Sequence, residues 1–272
     1  MPISRKIKPI KRFGQNFLCD ERILQRIADA AGLTSQDVVL EIGTGAGNLT
    51  KYLCKKTRFV YTVEKDARLC KVAAGNLAEF NNVKIICADI LKTDLQGFGS
   101  GLKVIGNLPF YITTPIIFKL LEQKKYIDDI IIMVQKEVAG RIVAKPGGKD
   151  YGILSCSVQF YTEPEILFHI SKNVFRPQPK VDSTLLRLKP LDTTAVCVKD
   201  EGNFLKLIKA AFGRRRKTLS NSLSGESGLG LAKEDVEKIL RKAGIDPKRR
   251  AETLSLEEFA KISNFYCRMT IL

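Results

Sequence analysis

The sequence predicts an α/β fold: a doubly wound, seven-stranded, mostly parallel sheet of Rossmann-like type, followed by a small C-terminal helical domain. Three observations predict it. Short apolar runs alternate with helical patterns over the first 190 residues, the first of those runs enters a glycine turn that opens a helix, and beyond residue 190 the pattern is helical throughout.

Apolar runs at 37–42, 59–63, 83–87, 102–106 and 127–134 read as strands separated by helical segments, and 165–170 and 181–188 supply two more. Such alternation builds right-handed crossovers between parallel strands, and only the last strand is free to run the other way. Leu185 to Pro190, followed by the polar Asp192-Thr193-Thr194, reads as a linker, so a domain over 1–190 and a second over 191–272 are expected. In the second, Asn203 to Phe212, Lys233 to Ala243 and Leu256 to Asn264 each carry an apolar stripe at helical spacing. A chain of 272 residues buries roughly 70% of its unfolded surface, enough for a full α/β core.

The glycine turn narrows the ligand. Val38 to Ile42 lead into Gly43-Thr44-Gly45-Ala46-Gly47 and a helix from Asn48. Its glycines are spaced by two and two, whereas the dinucleotide fingerprint that cradles a pyrophosphate has its third glycine one residue later. The mismatch argues against NAD. A nucleoside donor without phosphates, such as S-adenosylmethionine, needs only the close backbone approach that Gly43 and Gly45 allow.

Two acids stand at the next strand ends. Glu64 closes the second run, 21 residues after Gly43, where a carboxylate can accept from both ribose hydroxyls. Asp89 follows the third, where a carboxylate can accept from an adenine amine. A solvated strand end explains the first equally well, and a helix cap or Asx-turn the second. The fourth run ends in Asn107-Leu108-Pro109-Phe110. The Asn107 side-chain oxygen and the Leu108 carbonyl can each accept one N–H of an exocyclic amine, Pro109 fixes the local backbone, and Phe110 offers a stacking face. Alone, such a residue group is more often only a turn. Four chemistry-bearing positions at four successive strand ends are less easily accidental, because ligands of open α/β sheets gather there.

Composition favours a polyanionic partner. Forty-five Lys and Arg against 29 Asp and Glu give a formal charge of +16, as expected of a nucleic-acid binder. No stretch reaches ~18 apolar residues, and the basic start of the chain lacks the apolar core of a signal peptide, so a cytoplasmic protein without a membrane segment is expected. Cysteines at 19, 54, 70, 87, 156, 197 and 267 are scattered, with no Cys-x-x-Cys pair, and suggest neither a disulfide framework nor a metal site. The only histidine, His169, lies in an apolar strand away from the four strand ends, which points to a structural role.

Phe13-Gly14-Gln15-Asn16-Phe17-Leu18, Glu41 to Gly47, Glu64, Asp89, Asn107 to Phe110, and Phe175-Arg176-Pro177-Gln178-Pro179-Lys180-Val181-Asp182-Ser183 form a set that resembles a known family. Phe212-Gly213-Arg214-Arg215-Arg216-Lys217 and Arg250-Ala251-Glu252-Thr253-Leu254 extend it over nearly the whole chain. The set is similar to the ribosomal RNA small-subunit adenine N6-dimethyltransferases, the bacterial kasugamycin-resistance methyltransferases, whose catalytic domain has the class I S-adenosylmethionine methyltransferase fold. The resemblance implies methyl transfer from S-adenosylmethionine to N6 of two adjacent adenosines near the 3′ end of small-subunit ribosomal RNA, in a preassembled small ribosomal particle; a monomer is expected, although sequence alone does not give the oligomeric state. It places Asn16, Leu18, Gly43, Glu64, Asp89 and Asn107 around the donor. Thr44 stands where Pro is common and Phe110 where Tyr is common; neither removes an essential group, since a phenyl ring stacks as a phenol does.

For the RNA, three elements are candidates. Arg214, Arg215, Arg216 and Lys217 are expected to meet phosphates. Phe175 is a candidate for the second face of an extruded adenine, with a loop anchor in the core as the equally good alternative. Arg5, Lys6, Lys8, Lys11 and Arg12 form an acid-free tail that can order on RNA. Two rivals remain: a large-subunit adenine methyltransferase of the macrolide-resistance type, and an assembly factor that keeps the fold but mainly docks RNA.

Overall fold

The computed structural model describes residues 15–214, 216–226 and 228–270. The basic tail Arg5 to Arg12, the Phe13-Gly14 pair and Arg215 lie outside the described residues. The chain divides into two compact units, one of residues 1–139 and 163–190 and the other of 140–162 and 191–272.

The first unit holds β1 (Phe17–Leu18), α1 (Glu21–Ala30), β2 (Val38–Ile42), α2 (Asn48–Cys54), β3 (Phe59–Glu64), α3 (Ala67–Asn76), β4 (Val83–Cys87), β5 (Leu102–Asn107), α4 (Thr113–Glu122) and β6 (Ile127–Gln135). α5 (Lys136–Ile142) leaves it and α6 (Ile153–Tyr161) follows; β7 (Thr162–Ile170), β8 (Phe175–Arg176) and β9 (Ser183–Pro190) return. The second unit adds α7 (Glu201–Phe212), α8 (Leu219–Leu223), α9 (Lys233–Lys242) and α10 (Leu256–Thr270). Among the described residues no helix is long and apolar enough to cross a membrane.

The main sheet has seven strands in the order β4-β3-β2-β5-β6-β9-β7. From β4 to β6 all pairs are parallel, and β9 runs antiparallel to β6. Strand order reverses at β2, which has β3 on one side and β5 on the other, and ligands of doubly wound sheets bind at such a reversal. Val39, Leu40, Val104, Ile130, Ile131 and Leu186 are fully buried, as befits strands covered on both faces. Asp129 of β6 is nearly buried and accepts from Arg187 Nε of β9 at 3.0 Å, so its charge is paired.

Local signals set the helix starts. Asp20 accepts from the Arg22 and Ile23 amides ahead of α1, and Asp66 from the Arg68 amide ahead of α3, which occupies donors that a helix start leaves unpaired. β7 begins at Thr162, earlier than the 165–170 run suggests; Pro164 lies inside it, acceptable because β7 is the edge strand.

One pairing was not foreseen. β1 and β8 form a separate two-stranded antiparallel sheet, Phe17 opposite Arg176 and Leu18 opposite Phe175. It joins the Phe-Gly-Gln-Asn-Phe-Leu motif to the Phe-Arg-Pro motif across more than 150 residues of chain. Phe175 is thereby fully buried in a core with Leu18, Leu24, Ile27 and Ile170. This corrects its candidacy as a stacking surface: the ring anchors its loop and presents no free face.

In the second unit, Phe160 and Phe204 stack with centroids 4.4 Å apart, and Phe212 packs on Tyr151 and Phe259 at 6.0 and 5.9 Å. Tyr161 donates to Glu201 at 2.8 Å, which satisfies its hydroxyl at the edge of that core. α6 therefore belongs with the helices after residue 190, whereas the sequence pattern grouped 140–162 with the sheet.

Candidate active site

β2 leaves the sheet at Ile42, and the chain turns through Gly43, Gly45 and Gly47, all at positive φ (84°, 56° and 85°). Side chains rarely adopt that conformation, so the glycines are required by the turn itself. A Cβ on Gly43 would stand in ordinary contact, 3.5 Å from the Asn107 carbonyl, and one on Gly45 3.5 Å from the Phe17 ring, so backbone conformation rather than space demands these glycines. Gly106, unnoticed in the sequence, is where space is tight, because a Cβ there would come within 2.8 Å of the Ile42 carbonyl. β5 can approach β2 closely enough to set Asn107 beside Gly43 only because residue 106 has no side chain.

Beneath the turn, Glu41 is buried and one of its oxygens accepts from Thr50 Oγ1 and Thr62 Oγ1, each at 2.6 Å. Burial pushes its carboxyl up to about 7, against the pull of these two hydroxyls. Thr44, the residue that departs from the common Pro, shares a 2.5 Å hydrogen bond with Thr62 and so joins this network.

Glu64, at the end of β3, accepts from the Gly45 amide at 3.0 Å with one oxygen and from the Asp66 amide at 2.9 Å with the other. Burial raises its carboxyl above the ordinary value, and these backbone donors oppose the rise. The Lys65 backbone also pulls the carboxyl down, and since a carboxylate has about four acceptor sites, capacity remains for a ligand. Asp89 accepts from the Leu91 amide at 3.1 Å with one oxygen and from Lys65 Nζ at 2.8 Å with the other. The lysine holds its carboxyl below the usual range. Asp89 is both a cap for the short turn that follows and a wall of the cavity.

Asn107 closes β5. Its Nδ2 donates to the Asn16 carbonyl at 3.1 Å, which orients the amide and leaves Oδ1 as the acceptor. The Leu108 side chain is buried and its amide donates to the Met133 carbonyl at 3.1 Å. The Pro109 carbonyl accepts from the Ile112 amide and from Thr113 Oγ1, at 3.1 and 3.0 Å. The turn is thus fixed on three sides before any ligand arrives.

Asn16, Gly43, Gly45, Glu64, Asp89, Asn107, Leu108, Pro109 and Phe110 all line one cavity. Leu18 does not; it lines a neighbouring cavity that shares Phe17, Gly43, Gly45 and Asn107, and its carbonyl accepts from Asn48 Nδ2 at 3.2 Å. Arg214, Arg216 and Lys217 are exposed in the turn after α7, within the second unit. His169 lies outside the cavity and shares a 2.8 Å hydrogen bond with Thr184.

Among the other wall residues, Gln15, Lys65 and Tyr111 are polar or aromatic side chains to which the sequence analysis gave no role of their own. Each adjoins a residue that it did single out. Gln15 Nε2 donates to Asp66 at 3.0 Å and ties the N-terminal motif to the cap of α3. Acceptors on two sides, an oriented amide at the end of β5 and aromatic rings beside it suit a nucleoside donor and a flat amine-bearing acceptor.

The model of the family described as ribosomal RNA adenine dimethylase matches residues 7–267. The chain is 46% identical over 262 residues to the ribosomal RNA small subunit methyltransferase A of Bacillus mycoides, covering 93% of this chain and 90% of the relative. The enzyme of that name from Bacillus cereus gives the same figures. Among solved structures, a dimethyladenosine transferase from Plasmodium falciparum superposes with a TM-score of 0.79 at 26% identity, covering 90% of this chain and 95% of that one. The 23S rRNA methyltransferase ErmE superposes with a TM-score of 0.68, also at 26% identity, covering 92% and 99%.

Proposed function

The chain belongs to the ribosomal RNA adenine dimethylase family, and from that premise we propose that it transfers methyl groups from S-adenosylmethionine to N6 of two adjacent adenosines near the 3′ end of small-subunit ribosomal RNA. The substrate is a preassembled small ribosomal particle in the cytoplasm, and the enzyme acts as a monomer. The observation that carries the reading is the shared cavity, in which the Asn107 turn meets Glu64, Asp89 and the glycine turn. The names of the 46%-identical relatives favour the small subunit over the large one.

The residues present fit the donor. Gly43 and Gly45 form a cradle that side chains would fill, and Glu64 keeps acceptor sites free after holding the Gly45 and Asp66 amides. S-adenosylmethionine supplies a methyl group on a sulfonium, electrophilic enough to need no metal or covalent nucleophile. Glu64 would hold the ribose hydroxyls, Asp89 the adenine amine of the donor, and the backbone from Gly43 to Gly45 would let it approach closely. Asn16 acts through Asn107, whose amide its carbonyl orients.

The acceptor nitrogen is conjugated into its ring and is a poor nucleophile. Asn107 Oδ1 and the Leu108 carbonyl accept its two N–H bonds, which favours a pyramidal nitrogen with its lone pair toward the methyl group. Pro109 holds the two acceptors in register, and Phe110 replaces on one face the stacking that the adenosine loses on extrusion. Neutral Asn107 is too weak a base to take the proton, which leaves to solvent. Arg214 to Lys217 supply phosphate contacts from the second unit.

Mass spectrometry of both ribosomal RNAs from a strain lacking the gene tests this. We expect N6,N6-dimethyladenosine to vanish from the small-subunit RNA at two adjacent positions and to return with the wild-type gene. Loss from the large-subunit RNA would support the macrolide-resistance type instead, and no loss from either would make the protein a docking factor.

A further inference from the structure

The turn that carries Asn107 also carries an aromatic ring that the reaction above does not use. Tyr111 is 49% exposed, and among the described residues only Ile166 and Val181 are other large apolar side chains so exposed. Of the three, Tyr111 is the one that lines the cavity, beside Asn107 and Phe110. Resting on the function proposed above, we propose that Tyr111 is the platform on which the nucleotide next to the target adenosine stacks.

Geometry separates the two rings. Phe110 to Ile112 form one 3₁₀ turn, in which consecutive side chains diverge by about 120°. Phe110 and Tyr111 therefore face different directions, and Phe110 is the more buried of the two. A base seated against Phe110 leaves the Tyr111 ring at the rim, along the path of the strand. Extruding one nucleotide strips stacking from its neighbour as well as from the target. An exposed ring at the rim restores it, and does so for any base, since every base has a flat π-face. The helix that follows does not repel the strand: α4 has an apolar N-cap, Ile112, and no acid in its first turn, so a phosphate arriving there meets no like charge. Tyr111 then governs capture of the RNA, and Asn107 governs turnover once the RNA is bound.

Small ribosomal subunits from a strain lacking the gene, methylated in single turnover with S-adenosylmethionine saturating, test the assignment. Tyr111→Ala should raise the particle concentration for half-maximal rate about 10-fold, the loss expected for one base–aromatic stack, with the plateau rate and donor affinity unchanged. Tyr111→Phe should stay within about twofold, since the ring is retained. Particles reconstituted with an abasic residue immediately 5′ or 3′ of the target locate the stacked base: with one of the two, wild type and Tyr111→Ala should become equal. A Tyr111→Ala enzyme that matches wild type on intact particles overturns the assignment, as does a loss that persists on both abasic particles. If wild type leaves intact particles unmethylated, the proposed function itself fails, and this assignment with it.

Discussion

Glu64 shows how one side chain can brace the turn and still line the cavity. Backbone amides of Gly45 and Asp66 donate to separate oxygens of it, so the carboxylate is fixed without a ligand. Glu64→Ala should weaken S-adenosylmethionine binding by about 1.5 to 3 kcal/mol, the range for hydrogen bonds to a charged group, and Glu64→Gln by less. Titration calorimetry reads both; unchanged affinity in a folded Glu64→Ala protein would remove the residue from the donor site. Glu41 tests the ground beneath it. Its carboxyl stands near 4.5 in an unfolded chain and at about 7 in the fold, so between those values the native state holds a proton that the unfolded chain has lost. Its stabilising contribution is complete below pH ~4.5 and is lost as pH rises through ~7, an amount of about 3 kcal/mol. Denaturation curves should therefore show wild type losing stability across that window relative to Glu41→Gln, and parallel pH profiles would mean that Glu41 is ionised throughout. At this scale the sequence was legible where backbone chemistry demands a residue type, as at Gly43, Gly45 and Gly47, whose positive φ only glycine meets readily. It was not legible at Phe175, because an aromatic in a Pro-rich loop looks the same whether its ring faces solvent or core. Only the distant Leu18 decides that.

Among the elements, long apolar strands announced themselves, and β2 to β6 match the sequence reading within a residue or two at each end. β1 and β8 did not, since strands of two residues carry no periodicity and exist only through each other. α6 was hidden for a related reason: none of its residues is exposed, and Ser155 and Ser157 are buried with Cys156, Val158 and Phe160, so no solvent-facing polar stripe marked it as a helix or gave its unit. The turn between α7 and α8 raises a question of charge. Arg214, Arg216 and Lys217 are exposed there, as side chains that meet phosphate must be. Neutralising Arg214 to Lys217 should weaken RNA binding whatever the sequence and flatten its log–log salt dependence, by up to about 0.7 to 0.9 for each phosphate that the protein no longer neutralises. Filter binding over a salt series measures the slope, and donor affinity serves as the control. A slope identical to wild type would place the RNA elsewhere.

Over the whole molecule, a formal charge of +16 sets the partner class, the sheet sets the location of the chemistry, and four strand ends set the chemistry itself. The reversal of strand order at β2 brings the ends of β2, β3 and β5, and the loop after β4, around one cavity, which is why residues as far apart as 43 and 110 line it together. The central claim concerns what that site does to the acceptor amine: it aligns the nitrogen, and Asn107 is the group that aligns it. Phe110→Ala should weaken capture of the extruded base by the ~1 to 3 kcal/mol that a base–aromatic stack supplies, while Asn107→Ala should leave binding of RNA and donor largely intact. The direct measurement is single-turnover methylation of unmodified small ribosomal particles with particle and donor both saturating. With Asn107→Ala the rate should fall by about 10²-fold or more, as for other single positioning groups. Methylation by Asn107→Ala at the wild-type rate would contradict the account.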